Sequence, residues 1–157
     1  MNISELLAPD AVLSSLKVQS KKQLLQDLAA RASQITRIPE RKIFETLAER
    51  ERLGSTGVGQ GIAIPHGRLS GIKTISGVFA RLESPIDYDA VDRQPVDLVF
   101  MLLAPEGAGA DHLKALARVS RLLRNQQTVE KLRAATRTEA LYAILTEPTA
   151  SANSRAA

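Results

Sequence analysis

The sequence contains no cysteine and no tryptophan among its 157 residues, and only three phenylalanines and two tyrosines. Without cysteine the chain has no disulfide, no thiolate metal site and no cysteine nucleophile, which excludes several enzyme classes. So few aromatic side chains also leave little surface on which nucleic-acid bases could stack. Basic residues outnumber acidic ones by 21 to 17, but the charges are scattered along the chain. We therefore expect no nucleic-acid partner.

Long hydrophobic runs are also missing. The first ten residues lack the basic and apolar regions of a signal peptide, and no apolar run approaches the length of a membrane span. We therefore expect a cytoplasmic protein without membrane insertion. The length, with 44% hydrophobic and 24% charged residues, is typical of one globular domain. We place this domain at residues 1–147 and interpret the small, polar residues 148–157 as a mobile tail.

Hydrophobic periodicity predicts strands that alternate with helices, as in an α/β domain with a mixed β-sheet of about five strands covered by helices on both faces. Strands are predicted at residues 12–18, 62–64, 75–82 and 96–104. Helices are predicted at residues 20–36, 39–54, 111–123 and 128–134, and a last one begins at a Thr136/Glu139 capping box. Pro65 is predicted to end the second strand, so that His66 lies at a strand end.

Arg50 interrupts the apolar pattern of the second helix. It follows Ile43 by seven positions, and two helical turns bring it back to within about 20° of the same face. Arg50 therefore points toward the core. The alternative is a long side chain that passes the edge of the core and keeps its charge in water.

Four glycines occur within residues 54–61. This segment is not a P-loop, because Gln60 stands where a lysine would have to reach the phosphates. It also fails the dinucleotide-binding fingerprint, because a predicted helix precedes it and the spacing of the glycines is wrong. Backbone amides of such a loop can instead form a nest for an anion, although a plain connection between helix and strand is equally compatible. The candidate supporting residues are Ser55, Thr56, Gly59, Gln60 and Gly61.

His66 and His112 are the only histidines of the chain. His112 opens a predicted helix at the edge of its buried face, where a core histidine is the default interpretation. His66 stands between Pro65 and Gly67, where another molecule can approach it. If the two rings meet beside Arg50, the site is suited to a phosphoryl group, because a neutral imidazole is a nucleophile and cations stabilise phosphoryl oxygens. We expect no metal and no cofactor, since two histidines are too few zinc ligands and no HExxH motif occurs. A Ser/His/Asp hydrolase is not expected either, because no GxSxG segment is present.

Residues 50–57 (Arg-Glu-Arg-Leu-Gly-Ser-Thr-Gly) and 59–67 (Gly-Gln-Gly-Ile-Ala-Ile-Pro-His-Gly) resemble the active-site region of the IIA domains of the bacterial phosphoenolpyruvate phosphotransferase system. The Gly-Ser-Thr-Gly segment is similar to the nitrogen-regulatory type more than to the fructose or mannitol transport type. Residues 94–98 and 111–113 also match the family pattern, so the resemblance covers nearly the whole chain except its tail. One departure is Gln60, where the family usually has asparagine.

The resemblance implies a phosphohistidine carrier with a mixed sheet between helices. His66 would take a phosphoryl group from a phosphorylated HPr-like carrier protein (NPr), with its tele nitrogen Nε2 as a candidate and the choice of ring nitrogen left open. His112 matches the second active-site histidine of the family, and Arg50 matches its active-site arginine.

Two functional hypotheses follow from the resemblance. In the first, the chain is a phosphotransferase component whose output is the phosphorylation state of His66. In the second, it regulates nitrogen metabolism or potassium homeostasis by binding target proteins such as potassium-transport or sensor-kinase components, with phosphorylation as the switch. The alternatives are a sugar-transport IIA that passes phosphate to a IIB domain, and a regulatory binding module without catalysis.

Overall fold

A mixed β-sheet forms the centre of the computed structural model, which describes residues 1–147. Its strands are β1 (Val12–Leu16), β2 (Gly57–Gly59), β3 (Ile62–Ala63), β4 (His66–Leu69), β5 (Ser76–Ile86) and β6 (Val96–Pro105). They are ordered β1-β5-β6-β3-β2, and β4 also pairs with β6. β5 and β6 are antiparallel, whereas β3 and β4 run parallel to β6. The predicted tail at residues 148–157 lies outside the described residues.

Two groups of helices cover the sheet. The helices are α1 (Ile3–Leu6), α2 (Lys21–Thr36), α3 (Glu40–Arg52), α4 (Ala110–Arg124), α5 (Gln126–Ala134) and α6 (Thr138–Thr146), and a short 3-10 helix spans Pro9–Ala11. In the first group α2 and α3 pack against each other, and α2 contacts β5 while α3 contacts β4. In the second group α4 contacts β6 and α6 contacts β1, and both of these helices pack against α1 and α5. The predicted α/β domain with a mixed sheet between helices is confirmed. No helix within residues 1–147 is long and apolar enough to cross a bilayer.

β6 is the central strand of the core. Its residues are almost continuously apolar, and every side chain from Leu98 to Ala104 is 0% exposed. Strands pair with both of its edges and helices cover both of its faces, which is why its sequence does not alternate between apolar and polar residues. The predicted strand at residues 96–104 is therefore confirmed, and it provides the rigid support beside which β4 lies.

Local signals explain where some helices begin. The Ser20 hydroxyl accepts a hydrogen bond from the backbone N–H of Gln23 at 3.1 Å, and α2 starts at the next residue after Ser20, as predicted. The capping box predicted from Thr136 and Glu139 is wrong. Arg137 is the N-cap of α6 and no side chain caps it, because the chain stays extended for one residue longer than the box requires.

The segment around Pro65 differs from the prediction in a way that matters for the site. Pro65 separates β3 from β4, but pairing with β6 resumes immediately, with His66 opposite Leu102. The Pro65 carbonyl itself accepts a hydrogen bond from the Leu102 N–H at 2.9 Å. His66 therefore begins a new strand instead of following the end of one. The β2–β3 hairpin and α1 were not predicted, because each is too short to show a hydrophobic period.

Candidate functional site

The two histidines meet between β4 and α4. Side chains of a strand alternate between its faces, so His66 and Arg68 share one face of β4 while Gly67 faces α3. A Cβ atom on Gly67 would lie 2.6 Å from Cγ2 of Thr46 on α3, which shows how closely that helix approaches. On the other side, His112 lies in the first turn of α4. The ring centroids of His66 and His112 are 5.6 Å apart, with an angle of 75° between the ring planes.

The orientation of the His66 ring is fixed by a backbone carbonyl. Nδ1 of His66 lies 2.8 Å from the carbonyl oxygen of Ile64. A carbonyl can only accept a hydrogen bond, so Nδ1 carries the proton and Nε2 of the neutral ring keeps its lone pair. Burial lowers the pKa of His66 below its usual 6.5, and the positive charge of Arg50 lowers it further. The hydrogen bond to Ile64 and the charge of Glu51 act in the opposite direction.

His112 is buried, with 6% of its surface exposed. Its Nδ1 accepts a hydrogen bond from Nε of Arg68 at 3.4 Å, so the neutral ring carries its proton on Nε2. Nε2 has no hydrogen-bond partner within residues 1–147. Burial lowers the pKa of His112, and the charges of His66 and Arg68 lower it further. A buried N–H without an acceptor costs about 1–3 kcal/mol, so this group favours a ligand that supplies an acceptor oxygen.

Two arginines border the histidines. Arg50, in the last turn of α3, is partly buried, and its Nη1 donates to the carbonyl of Gly54 at 2.8 Å. Arg68 is exposed and holds His112 as described above. Neither guanidinium forms an ion pair with a carboxylate within residues 1–147. Arg68 was not among the predicted site residues, although its position two residues after His66 would have placed it on the same face of a strand.

The hydroxyl residues of the glycine segment are engaged within the protein. Ser55 donates to the carbonyl of Tyr88 at 3.3 Å and accepts from the N–H of Gly57 at 3.1 Å. Thr56 is 4% exposed. Its N–H donates to Oε1 of Glu51 at 3.0 Å, and its hydroxyl contacts both Glu51 and the Tyr88 hydroxyl. These contacts direct the polar groups of Ser55 and Thr56 toward α3 and Tyr88.

Gly59, Gln60 and Gly61 form the tight turn between β2 and β3. Gln60 and Gly61 have φ angles of 57° and 82°, as a type I′ hairpin turn requires. The N–H of Gln60 donates to Oδ2 of Asp92 at 2.9 Å, and its carbonyl accepts from Nη2 of Arg133 at 2.8 Å. Both backbone groups of Gln60 therefore already have partners.

This turn lies away from the histidines. The carbonyl of Gly61 accepts from the N–H of Leu98, whereas His66 pairs with Leu102. Four residues of β6 separate these two positions, which corresponds to about 13 Å along the strand. The structure thus brings together His66, His112 and Arg50, with Arg68 in addition. It does not bring the turn at Gln60 to the imidazoles.

A protein-family model described as "Phosphoenolpyruvate-dependent sugar phosphotransferase system, EIIA 2" matches residues 5–147. The chain belongs to this family. Among curated relatives of this EIIA domain, a "Nitrogen regulatory protein" of Bradyrhizobium diazoefficiens is 59% identical over 97% of this chain and 99% of the relative. A protein of the same name from Escherichia coli is 40% identical over 94% of this chain and 91% of the relative.

Solved structures agree with this assignment. The crystal structure of nitrogen regulatory protein IIA-Ntr from Neisseria meningitidis has a TM-score of 0.87 and 38% identity, and the match covers 92% of this chain and 99% of that one. The IIA mannitol structure from Escherichia coli has a TM-score of 0.74 at 16% identity, over 88% of this chain and 97% of that one, which shows a shared fold. The resemblance to the nitrogen-regulatory type of IIA domain is confirmed.

Proposed function

We propose that this EIIA domain is a phosphohistidine carrier of the nitrogen-type phosphotransferase system. In this proposal Nε2 of His66 accepts a phosphoryl group from a phosphorylated HPr-like carrier (NPr). The observation that carries the proposal is the hydrogen bond from Nδ1 of His66 to the Ile64 carbonyl, because it leaves Nε2 as the nucleophilic nitrogen. The lowered pKa of His66 supports the same role, since it keeps the ring neutral at pH 7.

Phosphoryl transfer to His66 in this proposal needs no external base. The Nε2 lone pair of His66 attacks the phosphorus of the donor phosphohistidine, a new N–P bond forms, and the N–P bond of the donor breaks. The bonding pair stays with the donor imidazole, which leaves neutral when its other nitrogen carries a proton. His66 keeps its Nδ1 proton, and the positive charge of the phosphorylated ring is stabilised by the Ile64 carbonyl.

The groups around His66 are suited to the phosphoryl oxygens. The buried Nε2–H of His112 has no acceptor within residues 1–147, and the centroid of its ring lies 5.6 Å from that of His66. Arg50 and Arg68 supply two positive charges, whereas a phosphoryl group carries about two negative ones. Phosphoryl transfer depends mainly on such positioning and charge stabilisation, so these three side chains act as electrostatic supports. We assign no phosphoryl contact to Ser55, Thr56, Gly59, Gln60 or Gly61.

The regulatory output in this proposal is phosphorylation-dependent binding of target proteins in the cytoplasm. Phosphorylation replaces a neutral ring beside two arginines by a group with about −1.5 to −2 charges, which changes docking without a large conformational change. Components of potassium transport or sensor kinases are the target class that we propose. Transfer onward to a IIB domain is the alternative, because a mannitol-type IIA in complex with phosphorylated IIB shares this fold.

The test is intact-mass analysis after incubation with phosphoenolpyruvate, the first enzyme of the relay and an HPr-like carrier. We expect an acid-labile phosphoryl adduct on the wild type and none on His66→Ala. Phosphorus NMR of the adduct should identify the tele isomer. A pros adduct, or an adduct that survives in His66→Ala, would contradict the proposal, and loss of label to an added IIB domain would favour the transport alternative.

A further inference from the structure

Glu51 is a buried carboxylate that phosphoryl transfer does not use directly. It lies in the last turn of α3, next to Arg50, and its side chain is only 6% exposed. A carboxylate this deeply buried is costly unless charged and hydrogen-bonding partners compensate it. Its partners therefore indicate what the residue does.

The direct partners of Glu51 come from two separate parts of the chain, and Tyr88 packs against both of them. Nζ of Lys21, at the start of α2, lies 2.9 Å from Oε1 of Glu51. The N–H of Thr56 donates to the same oxygen at 3.0 Å, and the Thr56 hydroxyl donates to Oε2. The Tyr88 hydroxyl lies 3.0 Å from the Thr56 hydroxyl, and Nζ of Lys21 lies 4.5 Å from the centroid of the Tyr88 ring. Glu51 thus joins α2, α3 and the segment that follows α3.

The contacts of Glu51 help to fix the Gly54 carbonyl, which is the hydrogen-bond partner of Arg50. Two hydrogen bonds from Thr56 fold residues 53–56 back onto the last turn of α3. Gly54 lies within this segment, and its carbonyl accepts the hydrogen bond from Nη1 of Arg50 at 2.8 Å. Gly54 has a φ of 146°, with no atom within 4 Å of where a side chain would begin. The Gly54 N–H donates to the backbone carbonyl of Glu51 at 3.1 Å, and the side-chain bonds that hold the rest of this segment against α3 are the contacts of Thr56 with Glu51. The direction of the Gly54 carbonyl therefore depends on both ends of residues 53–56, and Glu51 fixes the Thr56 end.

We infer that Glu51 is a positioning residue for phosphoryl transfer: it holds residues 53–56 so that the Gly54 carbonyl keeps the Arg50 guanidinium beside His66. This inference rests on the proposed function of His66. The role is indirect, because Glu51 acts through Arg50 and touches neither histidine in the hydrogen bonds and ion pairs of residues 1–147. Small displacements of a charged group from a reacting phosphoryl group are costly, since catalysis there depends on alignment.

Electrostatics provides a second readout. Arg50 and Glu51 of α3 shift the pKa of His66 in opposite directions. On the other side of the ring lie His112 of α4 and Arg68 of β4, which donates to His112. Glu51→Gln removes a charge that raises the pKa of His66, whereas a released Arg50 no longer lowers that pKa. Titration of His66 in Glu51→Gln and in the double variant therefore separates the charge of Glu51 from the placement of Arg50. The isosteric Glu51→Gln retains an acceptor for the Thr56 N–H and loses the charge that pairs with Lys21.

The experiment measures the rate of phosphoryl transfer in four proteins: wild type, Glu51→Gln, Arg50→Ala and the double variant. We expect Glu51→Gln to slow transfer by roughly ten- to a hundredfold. In the Arg50→Ala background the same change should have little further effect, because the group that Glu51 positions is gone. The matched control is Glu45→Gln on the same helix, whose exposed carboxylate pairs with Arg41. It should transfer at the wild-type rate.

Wild-type transfer by Glu51→Gln, or an equal loss in both backgrounds, would overturn the inference. If Glu51→Gln does not fold, Thr56→Val tests the same step, because it removes one of the two bonds that hold residues 53–56. A measurement without any donor separates this inference from the proposed function. NMR relaxation of the Arg50 side chain should show an ordered guanidinium in the wild type and a mobile one in Glu51→Gln, and an ordered one in both would refute the role of Glu51 even if no HPr-like protein phosphorylates His66.

Discussion

The carbonyl oxygen of Ile64 accepts a hydrogen bond from Nδ1 of His66 at 2.8 Å, across a single intervening proline. Pro65 has no N–H to donate, so the proline cannot contribute a donor to the ladder at this point, although its carbonyl still accepts from the Leu102 N–H. The ring that begins β4 is therefore oriented by Ile64, the residue that follows β3. This relationship explains why an Ile-Pro-His sequence produces a histidine with a defined tautomer.

Phosphoryl acceptance should persist to a pH below the usual histidine pKa of 6.5. The neutral ring is the nucleophile, and the lowered pKa of His66 means that protonation removes it only at lower pH. NMR titration of the ring and transfer rates between pH 5 and pH 8 should give the same midpoint. Arg50→Gln should move that midpoint upward, because a positive charge beside the ring is lost. A wild-type midpoint at or above 6.5 would contradict this prediction.

The free energy of unfolding should depend on pH through the titration of His66 and His112. His66 and His112 both have a lowered pKa in the folded protein, so the unfolded chain binds more protons than the folded one below pH 6.5. Their contribution to stability is therefore complete above pH 6.5 and is lost as the pH falls through the folded pKa values. Urea unfolding should give a lower free energy of unfolding at pH 5.5 than at pH 7.5. Equal values at these two pH values would be inconsistent with buried, neutral imidazoles.

Removing the charge of Arg68 should raise the pKa of His112. Arg68→Gln keeps a donor that can reach Nδ1 of His112 and deletes the positive charge that lowers its pKa. We expect an upward shift in the NMR titration of His112 and a severalfold slower transfer to His66, because one support of the phosphoryl oxygens is lost. The control is Arg41→Gln, an exposed arginine of α3 paired with Glu45, which should leave the His112 titration unchanged.

Hydrophobic patterns that extend along a whole helix or strand made much of the fold predictable. The local geometry of the site could not be predicted in this way. The Ser20 cap marked the start of α2, and the almost continuous apolar run of β6 identified a strand buried on both faces. Arg50 was predicted to point inward, and it is partly buried beside the site. By contrast, the position of Arg68 depends on the strand pairing that resumes after Pro65. The contacts of Glu51 depend on how the chain folds back after α3. These are tertiary arrangements of a few residues, and neither leaves a hydrophobic period in the sequence.

Gly67 should not tolerate a side chain unless α3 is altered. A Cβ at this position would lie 2.6 Å from Cγ2 of Thr46, a stiff β-branched group that cannot easily move aside. Gly67→Ala should lower the free energy of unfolding by about 1–3 kcal/mol. Thr46→Ser removes the clashing methyl and keeps the hydroxyl that donates to the Lys42 carbonyl at 2.9 Å. Most of the loss should therefore be recovered in the double variant, and an additive result would contradict the proposed clash.

Gln60→Asn should stabilise the protein without changing phosphoryl transfer. Gln60 occupies the left-handed region with φ at 57°, where asparagine is more favourable than glutamine. The gain should be up to about 1 kcal/mol, which corresponds to a rise of about 2–4 °C in the thermal midpoint of a domain of this size. Gln60→Val should move the midpoint the other way, since a β-branched side chain is costly at positive φ.

Transfer to His66 should be equal in all three proteins, because the turn lies about 13 Å along β6 from the position of His66. A change in the transfer rate that did not follow stability would instead place the Gln60 amide among the groups that contact the phosphoryl oxygens.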